Sequence, residues 1–244
     1  MTRGWVLITR PGDDLGSFQE ALAPSGFSVI GYPVFREVAV ADDVGWRALT
    51  AALGDLHRIA FTSPRAPAAL RSAAQTRGVA AELAAIPAAV VGEATARTAA
   101  AVGFTVAEVG TAGGVELARR IAAGCGRGGA VLHACGREHH ADLAAGLEAH
   151  DVRVVSVVVY AMDPTPLAEL PPVPAPPALV AVVLTSPRAA EAYAAASGPR
   201  APAVSHLAMG PTTAARAREL GIDAVTLRRP TPAAVLEELC RICP

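Results

Sequence analysis

Lysine and asparagine are absent from the 244 residues, so all 21 basic side chains are arginine. The missing lysine excludes Schiff-base chemistry, a pyridoxal-phosphate anchor and a Walker-type phosphate loop, because each needs a lysine amine. Charge of either sign is nearly balanced at a net −1, which provides neither a global nucleic-acid footprint nor a polybasic membrane signal. Near the start, Met1-Thr2-Arg3-Gly4 leads into an apolar run of only Trp5 to Ile8, far short of a signal peptide or a membrane span. A cytoplasmic location is expected. Cysteine is scarce as well: Cys125, Cys135, Cys240 and Cys243 are too few and too scattered for a disulfide framework. The pair Cys240-x-x-Cys243 sits on a terminal helix with no second pair, so no metal or redox site is expected there.

What the chain does contain is apolar bulk, 52% of its residues, enough for two modest cores. It is organised as a repeat. The run ending Ala208-Met209 stops at Gly210, and Pro211-Thr212-Thr213-Ala214 opens a helix. Proline is favoured at the first helical position because its missing N–H would be unpaired there anyway, and the threonine hydroxyls lie beside free amides. Such a helix start at the end of a strand suits an anion. Val90-Val91-Gly92-Glu93-Ala94-Thr95 carries the same pattern at an offset of 210 − 92 = 118. Phe61-Thr62-Ser63-Pro64-Arg65-Ala66 recurs as Leu184-Thr185-Ser186-Pro187-Arg188-Ala189 at 186 − 63 = 123. Two matched pairs at nearly one offset indicate an internal duplication, with units of about 1–125 and 129–244.

Short β-branched runs alternate with helical patterns along the chain, the rhythm of parallel α/β units. Strands are expected at 5–9, 27–30, 59–62, 88–91, 105–109, 130–134, 152–162, 179–184, 204–209 and 224–227. Helices are expected over 13–23, after Pro64, to Ala101, over 114–123, from Gly136 to about Ala149, over 187–195, 211–220 and 231–242. Tyr32 to Val40 alternates with no helix foreseen behind it and reads as a connecting strand. Gly124 to Gly129 fits the letters of a dinucleotide fingerprint but precedes a strand instead of following one, so it reads as a turn. The proline-rich stretch 163–177 can hold neither a helix nor a central strand.

Phe61-Thr62-Ser63-Pro64-Arg65-Ala66, Val91-Gly92-Glu93-Ala94-Thr95-Ala96, Val159-Tyr160 and Gly210-Pro211-Thr212-Thr213-Ala214, in this order and at these distances, resemble the uroporphyrinogen-III synthases. The resemblance runs from Thr9-Arg10-Pro11 to Arg229-Pro230-Thr231. It implies two flavodoxin-like parallel-sheet α/β domains joined by a two-stranded β linker. The first domain is discontinuous, 1–33 with 163–244; the linker is 34–43 and 154–162, and the second domain is 44–153. It further implies cyclisation of hydroxymethylbilane to uroporphyrinogen III with inversion of the last pyrrole ring. No cofactor, metal, nucleic acid or membrane is expected, and the chain should act as a monomer on this small molecule.

The bilane carries eight carboxylates, so helix starts, hydroxyls and arginines are the expected contacts. Candidates for substrate binding are Arg10, Thr62, Ser63, Arg65, Gly92, Thr95, Arg137, Ser186, Gly210, Thr212 and Thr213, with Arg188 a further arginine. Plain helix capping, at about 1 kcal/mol each, accounts equally well for the hydroxyls, and solvated surface for most arginines. Arg10 and Arg65 follow strand C-termini, where open sheets bind ligands. His139-His140 reads as an exposed helix face. Tyr160 is the candidate catalytic residue, a phenol able to protonate a leaving hydroxyl; packing the linker as an aromatic anchor is its alternative role. Two other readings of the chain are a non-catalytic tetrapyrrole-binding or regulatory module on the same fold, and a two-domain small-molecule binding protein.

Overall fold

The computed structural model describes residues 3–11, 15–124, 129–197 and 204–243. Within it the chain divides into two compact units, Met1–Arg36 with Asp163–Pro244, and Glu37–Met162.

In the first unit, strands β1 (Gly4–Ile8) and β2 (Phe27–Gly31) flank helix α1 (Gly16–Leu22) in sequence. Much later the chain adds β9 (Leu179–Leu184), α8 (Pro187–Ser197), β10 (Ser205–Ala208), α9 (Pro211–Glu219), β11 (Ala224–Thr226) and α10 (Pro232–Ile242). The sheet order is β11-β10-β9-β1-β2, with all four pairings parallel. In chain order this is the 2-1-3-4-5 arrangement of flavodoxin-like sheets. The central strands are apolar on both faces because each face is covered. Val6, Ile8, Ala181 and Val183 pack with Phe18 and Leu22 of α1 and with Val235 and Leu239 of α10. Leu7, Val182 and Leu184 point the other way, onto Ala189 and Tyr193 of α8 and Ala217 of α9.

The second unit holds β3 (Phe35–Ala39), α2 (Asp43–Ala52), β4 (Leu56–Phe61), α3 (Ala66–Thr76), α4 (Ala80–Ala84), β5 (Ala88–Val91), α5 (Gly92–Ala101), β6 (Val106–Gly110), α6 (Gly114–Gly124), β7 (Ala130–Gly136), α7 (Asp142–Glu148) and β8 (Arg153–Pro164), with β3 and β8 running past the division at their ends. The sheet order is β3-β8-β7-β4-β5-β6. Its core strands alternate in the same way: Ile59, Phe61, Leu132 and Ala134 face α2, α3 and α5, while Ala60 and Val131 face Leu117, Ile121, Leu143 and Leu147 of α6 and α7.

The two sheets have one spatial order but different chain order. β6-β5-β4-β7-β8 corresponds position by position to β11-β10-β9-β1-β2, yet the β-α-β unit β7-α7-β8 comes last in the second unit while its counterpart β1-α1-β2 comes first in the first. Flavodoxin-like connectivity therefore describes the first sheet directly and the second as its circular permutation, which is what a duplicated chain produces when its two halves exchange their leading β-α-β units.

Several boundaries differ from expectation. Helix α2 follows the connecting strand, where the sequence pattern predicts none, because Asp42 caps it: one carboxylate oxygen accepts from Gly45 N at 2.9 Å and the other from Val158 N at 2.9 Å. Helix α4 lies where the sequence pattern predicts no helix. Strand β7 continues to Gly136, held by pairing to Tyr160, and Arg137 N donates to Tyr160 O at 2.9 Å. Helix α7 consequently starts at Asp142 instead of Gly136, and His139-His140 lie in the preceding loop, exposed, and not on a helix face. The expected helix start at Asp13-Asp14 and most of the 124–129 turn fall outside the described residues. No helix among the described residues is long and apolar enough to cross a membrane.

Candidate functional site

In the second unit, the C-terminal ends of β4, β5 and β7 surround a hollow of about 370 Å³. Thr62 and Ser63 after β4, Val91 at the end of β5, Gly136 at the end of β7, His139 and Asp142 beyond it, and Tyr160 of β8 all line it. Open parallel sheets bind ligands at this edge. A larger hollow of about 730 Å³ in the first unit is lined by Leu179 and Ser205, at the opposite, N-terminal ends of their strands, and includes none of the candidate substrate-binding or catalytic residues.

The phenol of Tyr160 donates to Ser63 Oγ at 2.9 Å. The ring reaches Ser63 by passing over β7 at Gly136, where an added Cβ would stand 2.7 Å from Tyr160 Cζ. Glycine is therefore a steric requirement of this contact. Tyr160 is 9% exposed, so the phenol is nearly enclosed yet open to the hollow. Ser63 Oγ also accepts from Arg65 N at 3.3 Å, which leaves its own hydrogen available to a ligand.

Below this pair lies a residue the sequence reading missed. His133 is fully buried in β7, with Nε2 3.4 Å from Thr62 Oγ1 and Nδ1 without a partner among the described residues. Burial, reinforced by His139, lowers its pKa to about 4, so the ring is neutral. Cys135, two residues on and on the same strand face, is buried too; burial first and the Asp42 charge second push its thiol up to about 12. A histidine and a cysteine at i and i+2 in an apolar strand was the available signal.

The other candidates are spread over both units. In the second, Gly92 takes φ +78 at the start of α5, a left-handed conformation that favours glycine, and Thr95 is buried in the first turn. Arg65 is exposed and 3.7 Å from Glu37 Oε2. Arg137 is exposed just past β7. In the first unit, Thr185 after β9 donates twice to Thr9 at the end of β1: its N to Thr9 Oγ1 at 3.0 Å and its Oγ1 to Thr9 O at 3.1 Å. Ser186 Oγ caps α8 by accepting from Ala189 N at 3.1 Å. The Arg10 guanidinium lies 5.9 Å above the Phe18 ring, and that of Arg188 lies 4.9 Å above Phe35. Gly210 is extended before α9, with Thr212 exposed and Thr213 buried.

Two mostly parallel sheets of one spatial order, each ending in hydroxyl-bearing turns that open helices, define a duplicated α/β protein that presents hydrogen-bond donors at its strand ends. The chain belongs to the uroporphyrinogen-III synthase HemD family, which it matches over residues 16–237. Its activity is accordingly a lyase reaction of tetrapyrrole biosynthesis. The uroporphyrinogen-III synthetase of Helicobacter pylori has a similar structure, with a TM-score of 0.62 at 18% identity, covering 98% of this chain and 99% of that one. A mutant uroporphyrinogen III synthase of Thermus thermophilus gives 0.54 at 17% identity, covering 98% of each chain. At these identities the likeness is one of fold. No curated protein matches the sequence.

Proposed function

We propose that the chain closes hydroxymethylbilane to uroporphyrinogen III with inversion of the last ring, and that Tyr160 is the proton donor. The bilane also closes by itself without inversion once its hydroxyl leaves, so the enzyme has to assist departure and hold the last ring for attack through its substituted carbon. The observation that carries the assignment is the Tyr160–Ser63 hydrogen bond in the hollow at the strand ends. A nearly enclosed phenol held on a serine is positioned, and a positioned acid contributes about 10² to 10⁴ in rate. As the leaving hydroxyl takes the phenolic hydrogen, Ser63 can donate its own hydrogen to the oxygen left behind.

Thr62, Ser63, Gly92, Thr95 and Arg137 in the second unit, and Arg10, Ser186, Gly210, Thr212 and Thr213 in the first, are proposed carboxylate contacts. Their support is position: each follows a strand C-terminus or opens the next helix. Arg65 is proposed with them, although Glu37 already neutralises part of its charge. The domain reading, 1–33 with 163–244, linkers 34–43 and 154–162, and 44–153, is supported by the nearby compact division. A monomer working in the cytoplasm without nucleic acid accords with the near-neutral charge. Freshly made hydroxymethylbilane, with the type I and type III products resolved, tests the activity; product no richer in type III than the spontaneous reaction would refute it.

A further inference from the structure

We propose that His133, Cys135 and His139 form a binding site for a zinc-class divalent transition ion. One ring nitrogen of each imidazole and the Cys135 sulfur lie within 4.8 Å of one another, close enough for small side-chain rotations to bring them onto one ion. Strand β7 supplies His133 and Cys135 on one face by its two-residue period, and the loop after Gly136 folds His139 back over the strand end, its ring 5.3 Å from that of His133 at 83°.

The hydrogen bonds prepare both rings. His139 Nδ1 is 2.9 Å from Gly136 O. A carbonyl only accepts, so this nitrogen carries the hydrogen and Nε2 keeps its lone pair. His133 has Nε2 beside Thr62 Oγ1, while its buried Nδ1 has no partner among the described residues. Each imidazole is thus held by an oxygen at one nitrogen and free to ligate at the other, the arrangement that orients metal-bound histidines. A buried ring nitrogen with nothing to bind is costly, and an ion relieves it. One thiolate and two imidazoles suit Zn²⁺ and disfavour Mg²⁺ or Ca²⁺, which require oxygen ligands. On binding, the Cys135 thiol releases its proton to solvent as the sulfur–metal bond forms. His139 lines the hollow that holds Tyr160 and Asp142, so a fourth position opens towards water there.

The test uses the full chain with Cys125, Cys240 and Cys243 changed to serine, which leaves Cys135 the sole thiol. Zn²⁺ is titrated against a chromophoric chelator, and Co²⁺ serves as the spectroscopic probe. One ion per chain and a thiolate-to-cobalt charge-transfer band are expected. Cys135→Ser should abolish the band, and His139→Ala should weaken zinc binding about tenfold or more. His139 is exposed on a loop, so its variant decides the matter even where Cys135→Ser fails to fold. Substoichiometric zinc, the absence of a thiolate-to-cobalt band in the parent chain, or affinity unchanged by His139→Ala overturns the proposal.

Discussion

The Tyr160 phenol reaches Ser63 at 2.9 Å although β7 lies between the strand that carries Tyr160 and the one that leads to Ser63. The contact exists because the intervening residue is Gly136. Three strand ends are thereby tied into one arrangement, with the phenol held at the edge where a parallel sheet meets its ligand.

Replacing Tyr160 by phenylalanine should remove the donor and keep the ring. Turnover to the type III product is expected to fall tenfold or more, about 1.4 kcal/mol or above in the barrier, with an unchanged circular-dichroism spectrum. Full turnover with correct ring inversion would make the phenol an anchor, and catalysis chiefly a matter of restraining the bilane.

Gly136→Ala keeps every polar group and adds one methyl where Tyr160 Cζ would be 2.7 Å away. The ring must move off Ser63, and overpacking of this kind costs about 1–3 kcal/mol. Urea denaturation should show the loss of stability, and turnover should fall at least as far as in Tyr160→Phe. A variant with wild-type activity would mean that the Tyr160–Ser63 contact is dispensable.

Thr213→Val exchanges a hydroxyl for a methyl of nearly the same shape in the buried first turn of α9. If this hydroxyl binds a substrate carboxylate equally in the ground and transition states, KM rises and kcat is retained. Steady-state kinetics on hydroxymethylbilane separates the two constants. A fall in kcat at constant KM would reassign the residue to the barrier itself.

His206 in β10 is buried, with Nε2 3.2 Å from the hydroxyl of Tyr193 on α8. Burial lowers its pKa, an effect partly offset by the backbone at Val204. Because the folded value lies below the unfolded value of about 6.5, its contribution is complete above that pH and is lost as pH falls through the folded value. The urea midpoint should drop more between about pH 7.5 and pH 5 in the wild type than in His206→Gln. Equal drops would exclude His206 from the acid response.

Much of this architecture was legible in the residues. β-branched runs with helical patterns between them located ten of the strands to within a few residues, and Pro211 and Gly210 marked the start of α9 where the structure has it. The duplicated Thr-Ser-Pro-Arg turns were legible because their causes are local: a strand ends, a hydroxyl caps, a proline opens a helix. The start of α7 was misjudged for a non-local reason. Gly136 and Arg137 resemble a helix opening, but β8 offers them pairing, and strand hydrogen bonds at Tyr160 take precedence over local preference.

Composition and short-range spacing suffice for the repeat, the parallel α/β class, the exclusion of lysine chemistry and the hydroxyls at the strand ends. Tertiary structure alone decided which of those hydroxyls meets Tyr160, that the second sheet is the permuted form of the first, and that His133 and Cys135 approach His139. Ser63 and Tyr160 are 97 residues apart in the chain. Whether such groups touch depends on strand order and register, which arise from the burial of both faces of a sheet and leave no mark in the residues immediately around each partner.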